Sequence, residues 1–327
     1  MAALSLLSLL LLLLLPLSLL LLLFLIVRPR PVKIPIKNRH VFITGGSSGI
    51  GLAIAHRAAS EGALVSILAR SQAKLGKAKQ EIRLATGTDV ATFSADVRDF
   101  DAVRRATEEA GPVDVLVVNQ GVFLPEELVK QDLDEVRFMI DVNLMGSFNM
   151  IKAVLPAMKA RTDRRPASIV LMSSQAGQVG IYGYTAYCAS KFGLRGLAEA
   201  LQQEIIADDI HVSLVLPPDT DTPGLAEEKK RRPPISSIIA ATSAAMKADE
   251  VAEKTINGIK SGSFIVPCNV VGYLLAIAGA GLSPQRSYVT AFVEVVGAGI
   301  SRLAGLFLLW NWYSSIEKWY AQKSSDQ

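Results

Sequence analysis

The 327-residue sequence predicts one doubly wound α/β domain built on a parallel sheet, with apolar segments at both ends. Three observations predict it. Short β-branched runs recur between longer stretches of helical periodicity, which implies strand, crossover helix and strand in repetition. A glycine-rich turn closes the first run and opens onto a helix, an arrangement that turns backbone N–H groups toward an anion. Half of the residues are apolar, and the excess is concentrated at the termini.

Residues 1–27 carry no charged side chain, and about 20 such residues are enough to cross a bilayer as a helix. A cleaved signal peptide is the alternative, but its apolar core runs to only about 7–15 residues and follows basic charge, which is missing here. The segment reads as a transmembrane anchor. Residues 28–37 form a stiff, proline-containing linker. It carries Arg28, Arg30, Lys33 and Lys37, with Arg39 just beyond and no acid among them. By the positive-inside rule this charge places the rest of the chain in the cytosol.

Strands are expected at 40–44, 63–69, 89–95, 113–119, 167–173 and 210–217, with a short closing strand within 262–267. No linker or repeat interrupts residues 38–267, so they form a single domain. Residues 268–327 read as an apolar, membrane-associated region. The part up to Leu282 is too short to span comfortably. The part from Tyr288 to Tyr313 is long enough but contains Glu294 and Arg302, each costing roughly 2.5–3.5 kcal/mol at a bilayer centre. A re-entrant or interfacial hairpin therefore stands beside two full crossings. Trp310, Trp312, Tyr313 and Trp319 fit an interfacial aromatic belt or packing in a core.

The formal net charge of +4, from 34 basic and 30 acidic residues, comes with no basic stripe, which argues against nucleic-acid binding. His40, His56 and His211 lie far apart, and Cys188 and Cys268 are the only cysteines. Neither a metal site nor a disulfide framework is expected.

Chemistry concentrates in a few places. In Thr44–Gly51, TGGSSGIG, Gly45 and Gly49 let the backbone turn and approach a pyrophosphate, and Gly51 allows close helix packing. The second strand ends in Ala69 and Arg70, where an acid selecting NAD would often stand. Arg70, helped by the Ser47 hydroxyl, suits a 2′-phosphate and so NADPH over NADH. In YCASK, Tyr187 and Lys191 stand four residues apart, so a helix stacks them on one face.

Together these residues resemble the short-chain dehydrogenase/reductase family, over roughly residues 38–267, which implies a Rossmann-like domain. The family's glycine motif falls on Thr44, Gly45, Gly49 and Gly51, and its adenine-side aspartate on Asp96. Its strand-four Asn-Ala-Gly falls on Asn119, Gln120 and Gly121, with glutamine replacing alanine. Its catalytic asparagine falls on Asn143, its serine on Ser174, thirteen residues before the tyrosine, and its Tyr-x-x-x-Lys on Tyr187 and Lys191. Its Pro-Gly-x-x-x-Thr appears as PPDTDT ending at Thr222, with Pro218 where glycine is usual.

The resemblance implies NADPH-dependent ketone reduction. Ser174 would hold the carbonyl oxygen and Tyr187 would donate a proton to it. Lys191 would lower the Tyr187 pKa and bind the cofactor ribose, and Asn143 would support a water relay. Cofactor contacts are implied for Gly45, Ser47, Ser48, Gly49, Ile50, Gly51, Arg70, Lys74, Asp96, Val97, Asn119, Gly121, Tyr187, Lys191, Pro217, Thr220 and Thr222. Ser173 and Cys188 read as packing.

The strings SSQAGQVGIYGYTAYCASKFGLRGLAEAL and PPDTDTPG, with an N-terminal anchor, resemble the family's reductases of long-chain keto-sphingoid lipids at the endoplasmic reticulum membrane. On that reading Asp219 or Asp221 neutralises the substrate's ammonium group, or these acids simply cap the next helix. A membrane-bound steroid or retinoid reductase, or a scaffold that binds NADPH without turnover, are the other readings. Family members often pair through the helix that carries Tyr187, so a homodimer is in keeping with the resemblance.

Overall fold

The computed structural model describes residues 2–27, 32–163, 165–240 and 245–325. Arg28 and Arg30 of the basic linker lie outside the described residues. The chain begins with α1 (Ala2–Val27), then alternates β1 (His40–Thr44), α2 (Gly49–Ser60), β2 (Leu64–Ala69), α3 (Gln72–Thr86), β3 (Ala91–Ser94), α4 (Phe100–Ala110) and β4 (Val115–Val118). Helices α5 (Leu133–Ile140) and α6 (Gly146–Lys159) come next, joined by a π-helical turn, Asp141–Met145. The second half runs β5 (Ala167–Met172), α7 (Thr185–Ile205), β6 (Ile210–Leu216), β7 (Thr220–Asp221), α8 (Pro223–Lys229), α9 (Pro234–Ala240), β8 (Met246–Lys247), α10 (Ala248–Ser261) and β9 (Ile265–Pro267). It ends with α11 (Val270–Ala278) and α12 (Tyr288–Ser325).

Seven strands form one parallel sheet in the order β3-β2-β1-β4-β5-β6-β9. All seven expected strands are present, β1 with the expected bounds and the other six trimmed by a residue or more where their ends turn into loops. The two-residue pair β7 and β8 was not expected from the sequence, being too short to show periodicity. Side chains alternate across the sheet as the pleat requires. Val41, Ile43, Val115 and Val117 pack with Ile54, Leu75 and Ile256 on one face. Phe42, Leu116, Val118, Ile169 and Leu171 pack with Val103, Met150, Leu194 and Leu201 on the other. Both faces are covered, which is why β4 reads as an unbroken apolar run and every residue of β5 and β6 is buried.

Among the described residues, two stretches are long and apolar enough to cross a membrane by length and composition. Leu133–Lys159 is 44% buried and carries core residues such as Met139 and Met150, so it belongs to the domain interior. Tyr288–Ser324 buries none of its apolar window, and it exposes Ile300, Leu303, Phe307 and Trp310. The 26-residue α1 is continuous from Ala2 to Val27. It meets α12 where the Phe24 and Tyr288 rings lie edge to face at 5.5 Å. The nine residues of α11 rise only about 13 Å against a core about 30 Å thick, so α11 by itself is too short to span one.

Candidate active site

Strand ends dictate the site. Ligands of an open α/β sheet bind beyond the carboxyl ends of the strands, where the strand order reverses, and here that point lies between β1 and β4. Two cavities open there. One, of about 550 Å³, lies over the glycine turn and the ends of β2 and β3. The other, of about 220 Å³, contains Ser174, Tyr187, Lys191, Pro217 and Thr220. They share Ile50, Asn119, Gly121 and Thr222, so a molecule in the first reaches the second.

The glycine turn is built as the sequence suggested. Gly45 and Gly49 sit at φ +63° and +55°, a left-handed region that side chains rarely enter. A Cβ on Gly51 would lie 2.3 Å from the Gly45 carbonyl oxygen and 2.5 Å from Asn119 Nδ2. Thr44 Oγ1 accepts from the backbone N–H groups of Asn119 at 2.9 Å and Gln120 at 3.2 Å, tying the end of β1 to that of β4. Ser48 starts α2 in extended backbone, and its side chain makes no capping bond.

The glutamine of the strand-four motif lines the first cavity, and its Oε1 accepts from Thr44 Oγ1. Gln120 Nε2 donates to Ser147 Oγ at 3.2 Å and Val142 O at 3.4 Å, so the amide is drawn toward α6.

Ser47, Ser48, Gly49, Ile50, Arg70, Lys74, Asp96 and Val97 all line the first cavity, together with Gly45. The Asp96 carboxylate is held by Arg98 at 2.7 Å, a hydrogen bond that keeps its pKa below the ordinary carboxylate range. Arg70 and Lys74 form no ion pair among the described residues. Positive-φ glycines, a helix N-terminus and two uncommitted cations fit a dinucleotide carrying an additional phosphate.

In the second cavity the Tyr187 ring leans on Phe123 and Tyr184, with centroids 5.7 and 6.2 Å away. Lys191 Nζ lies 5.6 Å from the Tyr187 ring centroid and donates to Met172 O at 2.8 Å. Ser174 caps a short 3-10 turn, its Oγ accepting from Ala176 N at 3.1 Å. Ser173 Oγ instead donates to Lys191 O at 2.9 Å, so the first serine of the pair braces α7.

Burial governs both ionisable groups. It raises the Tyr187 pKa, with the Ser174 hydrogen bond pulling the other way, and it pushes Lys191 down to about 8. The net direction is therefore upward, where a net lowering by Lys191 was expected. Water is a better solvent for a phenolate than this wall of rings, and removing it outweighs a lysine whose own charge is destabilised by the same burial.

Asn143 sits in the π-helical turn and is fully buried. Its Nδ2 donates to Val122 O and Ser190 Oγ, both at 2.9 Å, and its Oδ1 accepts from Val122 N at 2.8 Å. The side chain therefore clamps the loop after β4 to α7, a different arrangement from a side chain held free for a water relay. A Cβ on Gly121 would touch Lys191 Nζ at 3.5 Å and Asn143 Oδ1 at 3.6 Å, so this glycine keeps the space between them open.

Sequence reasoning missed several lining residues: Phe123, Tyr184, Glu228, Arg232 and Trp312. The three-residue spacing of Tyr184 and Tyr187 was a usable signal for a shared face. Glu228 and Arg232 belong to the charged run from Glu227 to Arg232, which reads as a solvated surface. Nothing in the sequence links Trp312 to a site so far upstream. Of the two acids in the Pro-Pro-Asp-Thr-Asp-Thr loop, Asp219 lines the cavity, whereas Asp221 is exposed and lines neither.

A family model described as short chain dehydrogenase matches residues 39–233. The chain is 66% identical over 293 residues to 3-dehydrosphinganine reductase TSC10A of Arabidopsis thaliana, covering 90% of each. It is 36% identical over 302 residues to 3-ketodihydrosphingosine reductase of Mus musculus, again covering 90% of each. Among solved structures, a short chain dehydrogenase/reductase family protein superposes with a TM-score of 0.61 at 27% identity, covering 72% of this chain and 98% of the other. With the glycine turn, Ser174, Tyr187 and Lys191 assembled at one strand-end crevice and the family model spanning more than half the sequence, the chain belongs to the short-chain dehydrogenase/reductase family.

Proposed function

We propose that this chain reduces 3-ketosphinganine (3-dehydrosphinganine) to sphinganine with NADPH, in sphingolipid biosynthesis. The observation that carries the reading is the second cavity. On one side it joins the dinucleotide cleft, and on the other it is walled by apolar groups from α9, α11 and α12: Ile239, Ala240, Val271, Leu275 and Trp312. A small polar head with one long apolar tail suits such a space, and the relatives, named as 3-dehydrosphinganine and 3-ketodihydrosphingosine reductases, point to that molecule.

Bound NADPH supplies the hydride. Ser174 Oγ holds the ketone oxygen, and Tyr187 Oη gives it a proton as negative charge develops there. Reduction consumes the protonated phenol, and burial keeps Tyr187 in that state at neutral pH. The Lys191 ammonium favours the tyrosinate left behind and binds the cofactor ribose. Asn143 holds Lys191's surroundings in register through Ser190 and Val122. Gly45, Ser47, Ser48, Gly49, Ile50, Arg70 and Lys74 would hold the cofactor phosphates, with Gly51 beneath the turn. Asp96 and Val97 would hold the adenine side, and Asn119, Gly121, Pro217, Thr220 and Thr222 the nicotinamide half.

The catalytic domain comprises residues 38–267, after the anchor at 1–27 and the linker at 28–37, and residues 268–327 form the membrane-associated region. An unbroken apolar α1 and the exposed apolar side chains of α12 are surfaces that lipid covers well. With the basic linker next to α1, they support a place in the endoplasmic reticulum membrane with the catalytic domain in the cytosol. Pairing through α7 gives the homodimer that the family commonly forms.

Arg70→Ala is expected to weaken NADPH binding about 10- to 100-fold, the contribution of a charge-assisted bond to a phosphate, while NADH binding changes little. Fluorescence titration of both cofactors checks it. The kcat/KM for NADPH reports the free enzyme, and Lys191 is the first of the two buried groups to lose its proton as pH rises. That parameter is therefore expected to be level below about pH 8 and to fall above it. A profile level up to pH 10 would mean that the Lys191 charge is not needed. The substrate reading is tested by NADPH oxidation with 3-ketosphinganine beside a steroid ketone and a retinal. Turnover with the sphingoid ketone supports it, and turnover only with one of the others discards it.

A further inference from the structure

The cavity wall next to Tyr187 carries a chain of polar groups that proton and hydride transfer do not use. Tyr184 Oη donates to Glu228 Oε1. Arg232 grips the same carboxylate through Nε and Nη2, at 2.7 to 3.2 Å. Its remaining nitrogen, Nη1, reaches Asp219 Oδ2 at 2.8 Å.

The Glu228 and Arg232 side chains are 1% and 7% exposed, while that of Asp219 is 35% exposed at the cavity rim. A buried, forked contact of this kind uses the guanidinium charge on Glu228. Asp219 is the acid left over, and its Oδ1 has no partner among the described residues. Its backbone is fixed as well: it comes after two prolines, Pro217 and Pro218, and its carbonyl accepts from Met246 N at 2.9 Å. Lys191, the other cation in this wall, is turned to Met172 O. Both acids are near enough to Tyr187 for their charge to disfavour its phenolate.

Resting on the function proposed above, we propose that Asp219 is the counter-ion of the substrate's ammonium group, held in position by Arg232, Glu228 and Tyr184, and that it makes the enzyme prefer amino ketones. In 3-ketosphinganine the ammonium is on the carbon next to the ketone, so a ketone held between Ser174 and Tyr187 carries it along this wall. A partly solvated carboxylate meets such a cation without the full cost of burying two charges. A site that pairs a substrate group also discriminates strongly against analogues lacking it. Asp219 contacts substrate on this view, and the other three are positioning residues.

The test measures kcat/KM with NADPH for 3-ketosphinganine and for its des-amino counterpart, 1-hydroxyoctadecan-3-one, using the purified full-length protein in detergent. The wild type is expected to favour the amino ketone by about 10- to 100-fold, the discrimination of one charge-assisted bond. Asp219→Asn is expected to bring that ratio close to one, mainly through the KM of the amino ketone. Glu228→Gln is expected to lower the ratio partway, because Arg232 then neutralises Asp219. Equal kcat/KM values for the two ketones in the wild type, or an unchanged ratio in Asp219→Asn, overturn the ammonium site and leave the reductase assignment standing. Absence of turnover with either ketone overturns the reductase assignment and the ammonium site with it.

Discussion

Tyr187→Phe is expected to lower kcat for ketone reduction by about 10³-fold, within the range one general acid supplies, while the Kd for NADPH changes less than about threefold. The substitution removes only the hydroxyl. The ring contacts with Phe123 and Tyr184 survive, and α7 keeps the Ser190 and Lys191 bonds that fix it to Asn143 and Met172. What disappears is the proton donor that burial holds in its neutral form. Single-turnover reduction and cofactor titration on the same preparation separate the two effects. Residual turnover within tenfold of the wild type would mean that another group delivers the proton.

The second large effect belongs to Gly51. Gly51→Ala is expected to weaken NADPH binding by about 10- to 100-fold and to lower thermal stability. Its Cβ would stand 2.3 Å from the Gly45 carbonyl oxygen and 2.5 Å from Asn119 Nδ2, and neither neighbour is the free end of a flexible side chain. Gly45 is held in a left-handed conformation, and Asn119 is bonded through its N–H to Thr44 Oγ1 and through Nδ2 to Thr44 O. Overpacking of this kind typically costs 1–3 kcal/mol, and about 1.4 kcal/mol is tenfold in affinity. The strain is relieved by moving the turn away from the pyrophosphate. Gly87→Ala is the control: it also has positive φ, but nothing lies within 4 Å of its Cβ, and it stands far from the cleft at the end of α3. It is expected to lose stability and keep cofactor affinity.

Much of this was legible in the sequence because the signals there are local. β-branched runs, a glycine turn after the first of them, and Tyr187 four residues before Lys191 each record a local geometry, and each stands where that geometry required. Asn143 was legible as a position, but its π-helical turn was not, because one extra residue in a helix leaves no compositional mark. The ion chain from Tyr184 to Asp219 was hidden for a related reason. Glu228 and Arg232 lie among six consecutive charged residues, and only the fold reveals that two of them point inward. Trp312, Val271 and Leu275 read as membrane-seeking residues, and their place in the cavity wall depends on how α11 and α12 return to the domain. The direction of the Tyr187 shift was misjudged because charge proximity can be read from spacing, whereas desolvation depends on the three-dimensional wall around the ring.

The most direct test is to give the purified full-length protein 3-ketosphinganine and NADPH and to quantify sphinganine by mass spectrometry against NADPH consumed, with Tyr187→Phe alongside. One sphinganine formed for each NADPH oxidised, with formation abolished in the variant, is the expected result. NADPH consumption without sphinganine, or sphinganine formed equally well by Tyr187→Phe, would contradict it.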